Sequence, residues 1–291
     1  MRTYDFIVLT GGSERRYLAH VSSSLPPRGP WPVLLMLPGA GATPQWTLEE
    51  TGWQPTAEQF GFLLVVPEAL PLDPVQPPAF LPNPPFWNDG SPRAVSAPRA
   101  VDDVAFLDAL LADLARRFPA DPRRVCVTGF SNGAGMTFRL AAERAERIAA
   151  IAPVSGYLWL DDARPARPVP TLYLVGAQDP LVPLAGGTVM TLGGWHEQRP
   201  PIRDMLDRWR RALGCGEPRV IKQDEGVEEV RYAPGVDGAE FRAYTVEGLG
   251  HHWPGGRGLL SRRLFGPPSA RVRANELIGD FFRQSTRVQG V

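Results

Sequence analysis

Two kinds of segment alternate along most of the chain, and this alternation constrains the fold more than any other feature. Short runs rich in Val, Ile and Leu are apolar on both faces, which is typical of strands buried between two layers of helices. These runs span residues 6–9, 17–21, 33–37, 62–66, 125–128, 148–154, 171–175 and 241–246. Apolar residues at helical spacing mark the segments 99–118, 131–147, 202–213 and 275–284. The pattern predicts a doubly wound, mostly parallel sheet with helices on both faces.

One segment interrupts this alternation. Residues 67–98 contain ten prolines and show no clear periodicity. A loop of this length inside a compact domain usually has a function, so we expect an insertion that shapes a cleft, with Trp87 as an apolar wall. The alternative is that Trp87 packs the loop onto the core. No repeat or linker divides the chain, so we expect residues 1–291 to form a single catalytic domain.

The charge balance excludes several classes of partner. The chain has 31 basic and 31 acidic residues and a formal net charge of 0, so no electrostatic attraction to nucleic acid or to an anionic membrane is expected. The apolar run at 33–37 is far too short to cross a bilayer, and the N-terminus lacks the pattern of a secretory signal. We therefore predict a cytoplasmic protein without a nucleic-acid or membrane partner. Its oligomeric state stays open.

A serine between two glycines is the strongest candidate for a catalytic residue. Residues 129–133 read Gly-Phe-Ser-Asn-Gly, which matches the pattern of a nucleophilic serine on a sharp turn between a strand and a helix. An apolar strand pattern precedes this turn at 124–128, and a helical pattern follows it at 135–142. We therefore predict an α/β-hydrolase fold with Ser131 as the nucleophile. The alternative is a glycine-rich structural turn.

An activated serine needs a base and an acid that orients the base, and in this fold the chain order is Ser, acid, His. Asp179 follows the strand at 171–175 and is the predicted acid, although an Asp-Pro turn is compatible with the same residue. His251 and His252 follow the last strand, and one of them is the predicted base. No further histidine, cysteine or carboxylate cluster accompanies the pair, so we expect no metal and no other cofactor.

The negative charge that develops on an attacked carbonyl oxygen requires two backbone amides. One is expected from the residue after the nucleophile, Asn132. The other is expected from the loop after an early strand, where residues 38–42 read Pro-Gly-Ala-Gly-Ala. Its glycines permit a close approach of the backbone, and Ala40 is the predicted donor. An ordinary tight turn is the alternative interpretation of this loop.

Four stretches of the chain resemble the polyhydroxybutyrate-depolymerase-type esterases, which include feruloyl and acetylxylan esterases. The stretches are residues 101–107, 124–140, 149–156 and 248–255, within a similarity that runs from about Arg15 to about Pro254. In that family the last stretch reads Gly-His-x-Trp-Pro-Gly and its first histidine is the base. The resemblance therefore implies His251 as the base, with His252 at a variable position, and makes Trp87 and Trp253 candidates for substrate contact.

The chain departs from the family pattern in the loop after the third strand. The family usually has His-Gly where this chain has Pro38 followed by Gly39. That histidine normally helps to hold the oxyanion loop. The resemblance therefore leaves open what holds this loop here.

Together these residues predict a serine esterase that hydrolyses small-molecule or oligomeric carboxylic esters through an acyl-enzyme on Ser131. Two alternatives remain at this point. One is a peptidase or lactone hydrolase on the same fold, which would use the same catalytic residues. The other is an inactive hydrolase fold that binds a ligand or partner, since a fold alone does not determine function.

Overall fold

The protein, as a computed structural model, is described for residues 2–26, 29–71, 73, 75–80, 83–95, 101–191, 194, 196–235 and 238–288. The strands are β1 (Arg2–Thr10), β2 (Ser13–Val21), β3 (Trp31–Leu37), β4 (Leu63–Pro67), β5 (Ala120–Phe130), β6 (Ala150–Val154), β7 (Thr171–Gly176), β8 (Gly187–Met190), β9 (His196–Arg199), β10 (Pro218–Asp224), β11 (Val227–Tyr232) and β12 (Phe241–Val246). The α-helices are α1 (Pro44–Thr51), α2 (Trp53–Phe60), α3 (Pro92–Val95), α4 (Asp103–Arg117), α5 (Asn132–Glu143), α6 (Ile202–Ala212), α7 (Arg262–Phe265) and α8 (Ala274–Val288).

Ten of these strands form one sheet in the order β1-β2-β4-β3-β5-β6-β7-β12-β11-β10. The six central strands, from β4 to β12 in this order, are parallel. Antiparallel strands flank them on both sides. β8 and β9 form a separate antiparallel pair. The parallel centre places the carboxyl ends of β3, β5, β7 and β12 at one edge, which is where sites form in such sheets.

Two apolar layers cover this sheet. On one face the core takes in side chains of α4, α5 and α6, and on the other face it takes in side chains of α1, α2 and α8. Every strand run expected from the sequence corresponds to a strand of the large sheet, and the four expected helices are present as α4, α5, α6 and α8. Residues 99 and 100, which the sequence pattern assigned to the first of these helices, lie outside the described residues. The predicted doubly wound α/β-hydrolase fold is confirmed.

The sequence pattern missed the hairpin of β10 and β11. β10 is exposed along its whole length, so its side chains carry no apolar alternation that would indicate a strand. The chain turns at Glu225 and Gly226, which both have positive φ angles, 51° and 74°. Two such residues form the tight turn that favours a hairpin.

The proline-rich segment folds back on itself and is tied to the body of the domain. Its residues 72, 74, 81, 82 and 96–98 lie outside the described residues. Asn83 is buried, and its amide group donates to the carbonyls of Asp73, Gln76 and Pro77. Farther along, the backbone N–H of Asn88 donates to the Asp103 carboxylate at 2.6 Å. The same carboxylate forms a buried ion pair with Arg15 at 2.7 Å. These bonds give a loop with little regular structure a defined position.

Trp87 is an anchor of this loop rather than a wall of a cleft. Its side chain is fully buried, stacks on Phe106 and donates its indole N–H to the Pro38 carbonyl at 2.9 Å. The expectation that Trp87 forms an apolar wall is therefore wrong, and its alternative, packing onto the core, is what the structure shows. The reason is local: the indole has both an apolar neighbour and a hydrogen-bond acceptor inside the protein.

None of the described helices is long and apolar enough to cross a lipid bilayer.

Replacing Trp87 by alanine should destabilise the protein by about 3–5 kcal/mol, the usual cost of removing a buried tryptophan side chain. The measurement is urea unfolding followed by circular dichroism. Phe86→Ala is the matched control, because the preceding aromatic residue is only half-buried and should cost much less. Equal losses in the two variants would contradict the anchoring role of Trp87.

Candidate active site

Ser131 occupies a sharp turn between β5 and α5. Its backbone has φ 56° and ψ −117°, in a region that L-residues rarely adopt. The flanking glycines are required by close packing: a Cβ atom at Gly129 would lie 2.3 Å from the Gly133 carbonyl oxygen, and one at Gly133 would lie 2.2 Å from the Leu37 carbonyl oxygen. The Ser131 amide also donates to Val154 in the neighbouring strand at 2.9 Å. The turn thus holds the serine at the carboxyl edge of the sheet.

Asp179 and His251 meet at the ends of two neighbouring parallel strands. Asp179 follows β7 and His251 follows β12, which pair directly. His251 Nδ1 lies 2.8 Å from Asp179 Oδ2, and both side chains are buried. The other carboxylate oxygen, Oδ1, accepts from the amides of Leu181 at 2.9 Å and Val182 at 2.8 Å. The carboxylate is therefore held by backbone donors on one side and presented to the imidazole on the other.

Ser131 and His251 line the same cavity, whose volume is about 560 Å³. Within the described part of the chain, the Ser131 hydroxyl makes no hydrogen bond to the imidazole. Bonds of this kind often form only when a substrate is present. The imidazole is fixed by its surroundings, because the Phe130 ring lies 4.8 Å away and the His251 amide donates to the Phe265 carbonyl at 2.6 Å. The imidazole and the serine are thus held at the same cavity by separate sets of contacts.

The two predicted amide donors, Ala40 and Asn132, also line this cavity. In the loop after β3, the Gly41 and Ala42 amides donate to Pro85 and Gly39. In the regions that the structure describes, the amides of Ala40 and Asn132 have no such acceptor. Asn132 is the first residue of α5, so its amide also lies at the positive end of the helix dipole. This arrangement is suited to an oxygen atom that gains negative charge.

The side chain of Asn132 also binds the proline-rich segment, which the sequence did not suggest. Its Oδ1 accepts from the Trp87 amide at 2.7 Å, and its Nδ2 donates to the Trp87 carbonyl at 3.1 Å. Trp87 in turn binds the Pro38 carbonyl through its indole. These contacts hold the loop that carries Ala40, at the position where the resembled family usually has a histidine in place of Pro38.

His252 and Trp253 lie behind the cavity. His252 is buried, its Nε2 is 2.9 Å from the Gly266 carbonyl oxygen, and burial lowers its pKa. Trp253 is buried against Trp53 and Phe130, and its indole donates to Asn275 at 2.8 Å. The expectation that Trp253 contacts substrate is wrong, because its ring is enclosed by other aromatic rings and does not reach the cavity surface.

Several cavity residues were not singled out from the sequence. Phe86, next to Trp87 in the chain, lines the cavity together with Phe80 from the same loop. Asp89 lies beside α5, where a Cβ atom at Gly135 would be 2.5 Å from its Oδ2, and burial raises its pKa to about 6. The remaining wall is largely aromatic and charged and includes Tyr157, Trp159, Arg93, Glu197 and Arg199. The neighbouring aromatic residues Phe86 and Trp87 were a usable signal in the sequence. They did not indicate that Phe86 faces the cavity and that Trp87 faces the core.

No family model matches the chain. One sequence relative is NocK of Nocardia uniformis subsp. tsuyamanensis, a provisionally named esterase. The two sequences are 29% identical, and the match covers 94% of this chain and 80% of NocK. Feruloyl esterase B of Piromyces equi is 30% identical over 57% of this chain, and the match covers 31% of that protein.

Among solved structures, an acetyl xylan esterase from Aspergillus awamori superposes with a TM-score of 0.57 at 12% identity, covering 87% of this chain and 94% of that one. At this identity the likeness shows the fold alone. The sequence relatives agree with the resemblance seen in the motifs around Ser131 and His251. The protein has an α/β-hydrolase fold and is related in sequence to esterases.

Proposed function

We propose that this protein is a serine esterase that hydrolyses carboxylic esters at Ser131. The observation that carries the proposal is the meeting of three features at one cavity. A serine lies on a strained turn, an imidazole is bound by a buried carboxylate at 2.8 Å, and two amides lie beside the serine at the start of α5 and in the loop after β3. This combination serves acyl transfer.

The contact with Asp179 supports one tautomer of His251 in this mechanism. Because His251 Nδ1 faces the carboxylate, it carries a hydrogen, and the lone pair is on Nε2. Nε2 takes the proton of the Ser131 hydroxyl as the serine oxygen attacks the ester carbonyl. The amides of Ala40 and Asn132 then donate to the negatively charged oxygen of the tetrahedral intermediate.

The intermediate collapses when the bond to the alcohol oxygen breaks, and His251 returns the proton to the departing alcohol. The acyl group is now bonded to Ser131. His251 next takes a proton from a water molecule, which attacks the acyl carbonyl. A second collapse releases the carboxylic acid and restores the Ser131 hydroxyl.

The cavity and the relatives support a small or oligomeric ester as the substrate. A volume of about 560 Å³ lies within the range of small-molecule sites. The wall around Ser131 is rich in aromatic side chains, including Phe86, Tyr157 and Trp159. The sequence relatives include a feruloyl esterase and a bifunctional acetylxylan esterase/xylanase. Ester hydrolysis is therefore favoured over peptide hydrolysis on this fold.

Ser131→Ala should abolish ester hydrolysis while the protein stays folded, because removing a serine nucleophile lowers kcat by several orders of magnitude. Hydrolysis of p-nitrophenyl butyrate and labelling by a fluorophosphonate probe measure the effect. Circular dichroism of the same samples controls for folding. Activity above a few per cent of the wild-type value, with contamination excluded, would count against Ser131.

His251→Ala should reduce kcat nearly as much as Ser131→Ala, and His252→Ala should reduce it far less. His251 is bound to Asp179, whereas His252 is directed at the Gly266 carbonyl behind the cavity. Since His252 is buried, both variants are assayed well below their melting temperatures. A larger loss of kcat in His252→Ala would leave the mechanism in place but would show that His252, not His251, is the base.

A further inference from the structure

The mouth of the cavity has an apolar side that the proposed mechanism does not use. It differs from the aromatic and charged wall described above, because it is made largely of leucines and reaches solvent. We call it the apolar rim, and it consists of Trp46, Phe80, Leu259, Leu260 and Leu264, all of which line the cavity. Phe80, Leu259 and Leu264 are 46%, 43% and 57% exposed. Exposed apolar side chains grouped at one cavity indicate a binding surface.

One end of the apolar rim lies beside the nucleophile. Phe80 packs on the loop after β3, where a Cβ atom at Gly41 would be 2.6 Å from its ring. Two residues earlier in the same loop, a Cβ atom at Gly39 would be 3.5 Å from the Ser131 Cβ atom. The helix α1 follows this loop and carries Trp46. The rim is therefore continuous with the place where the substrate carbonyl would lie.

The other end of the apolar rim is fixed between α1 and the segment that covers His251. The buried Glu50 carboxylate of α1 accepts from two consecutive backbone amides, of which that of Leu259 lies 2.7 Å away. Leu264 belongs to α7, whose last residue, Phe265, accepts from the His251 amide at 2.6 Å. Because these bonds hold the backbone of the rim, little conformational entropy is lost when a ligand covers it.

The chemistry of the apolar rim favours a hydrocarbon chain. Among the described residues, the charged side chains that line the cavity come from the proline-rich segment and β9, and they are Asp89, Arg93, Glu197 and Arg199. A polar group placed against the leucines would lose its water and find few hydrogen-bond partners, which is unfavourable. An aliphatic chain gains free energy with each methylene group that leaves water. The continuity of the rim with the site of Ser131 makes this chain a part of the substrate.

From this arrangement we infer that the apolar rim binds an unbranched aliphatic chain of the substrate, so that the preferred substrates are esters with a medium-length alkyl chain. The inference rests on the proposed esterase function and specifies its substrate class. Leu259 and Leu264 are specificity-determining residues in this scheme. Because the rim extends from the loop after β3 to the segment beside His251, the chain belongs either to the acyl part or to the alcohol part of the ester.

The test compares long and short esters that differ by four methylene groups. p-Nitrophenyl hexanoate and p-nitrophenyl acetate differ in the acyl part, and hexyl acetate and ethyl acetate differ in the alcohol part. For each pair the measured quantity is the ratio of kcat/KM for the long ester to that for the short ester, below the solubility limit of both. A methylene group that leaves water completely gains about fourfold in affinity. Half-complete burial of the four groups should therefore give wild type a ratio of about ten for at least one pair.

Leu264→Asn and Leu259→Asn should each lower this ratio by about threefold or more, because an amide of similar size replaces the apolar contact. The matched control is Leu9→Asn, the same substitution at a leucine of β1 that is 76% exposed and outside the cavity lining. Its ratio should equal that of wild type. Circular dichroism checks the folding of each variant, and either rim variant decides the matter if the other does not fold. The pair that responds identifies the part of the ester that carries the chain.

A wild-type ratio of one or less in both pairs would overturn the inference. The same holds for a ratio that stays at the wild-type value in both rim variants, or that falls equally in Leu9→Asn. A rate that rises only above the solubility limit of the long ester would assign the rim to a lipid surface and would also overturn it. If the short esters are hydrolysed in any of these cases, only the chain site is wrong. If no ester is hydrolysed, the proposed function fails with it.

Discussion

The site depends on one strained turn. A positive φ at Ser131 costs of the order of 1–3 kcal/mol, and it persists only where the surrounding structure leaves no alternative. Here the restraint comes from contacts too close for any side chain: Gly133 lies against Leu37, and a Cβ atom at Gly156 would lie 2.3 Å from the Ser131 carbonyl oxygen. The packing of three neighbouring parallel strands therefore stabilises a backbone conformation that the serine would not adopt by itself.

The other groups of the site follow from the same parallel sheet. Parallel strands end at a common edge of the sheet. A carboxylate after β7 and an imidazole after β12 therefore meet there although they are 72 residues apart in the sequence. The helix that begins after Ser131 supplies an amide at its first residue. The ends of the regular elements thus carry Ser131, Asp179 and His251, and the proline-rich segment and the β8–β9 pair contribute to the walls of the cavity.

The strands and helices that carry the site were predictable from the sequence. Buried strands and amphipathic helices have apolar patterns, and the expected sheet and the four expected helices are confirmed. The positions of Ser131, Asp179 and His251 relative to these elements agree with the expectation, while their chemical functions stay predictions. The strands β8, β9, β10 and β11 bury few side chains and have no regular apolar pattern, so these two hairpins were missed.

The aromatic residues were assigned less well. A tryptophan beside a predicted cleft can face the cleft or the core, and the sequence has no periodicity in this loop that would decide between them. Trp87 and Trp253 both find acceptors inside the protein, at Pro38 and Asn275, and both are therefore buried. The charged part of the cavity wall could not be predicted, because it combines residues such as Arg93 and Arg199, about one hundred positions apart, that only tertiary packing brings together.

The hydrogen bond from Trp87 to Pro38 has a consequence for the dynamics of the enzyme. Trp87 binds the loop of Ala40 through its indole and the first residue of α5 through its backbone. One residue of the proline-rich segment therefore contacts both elements that carry the proposed amide donors. Local opening of that segment would displace the donors while the sheet stays folded. The fraction of time that the segment is closed then limits the fraction of molecules competent for turnover.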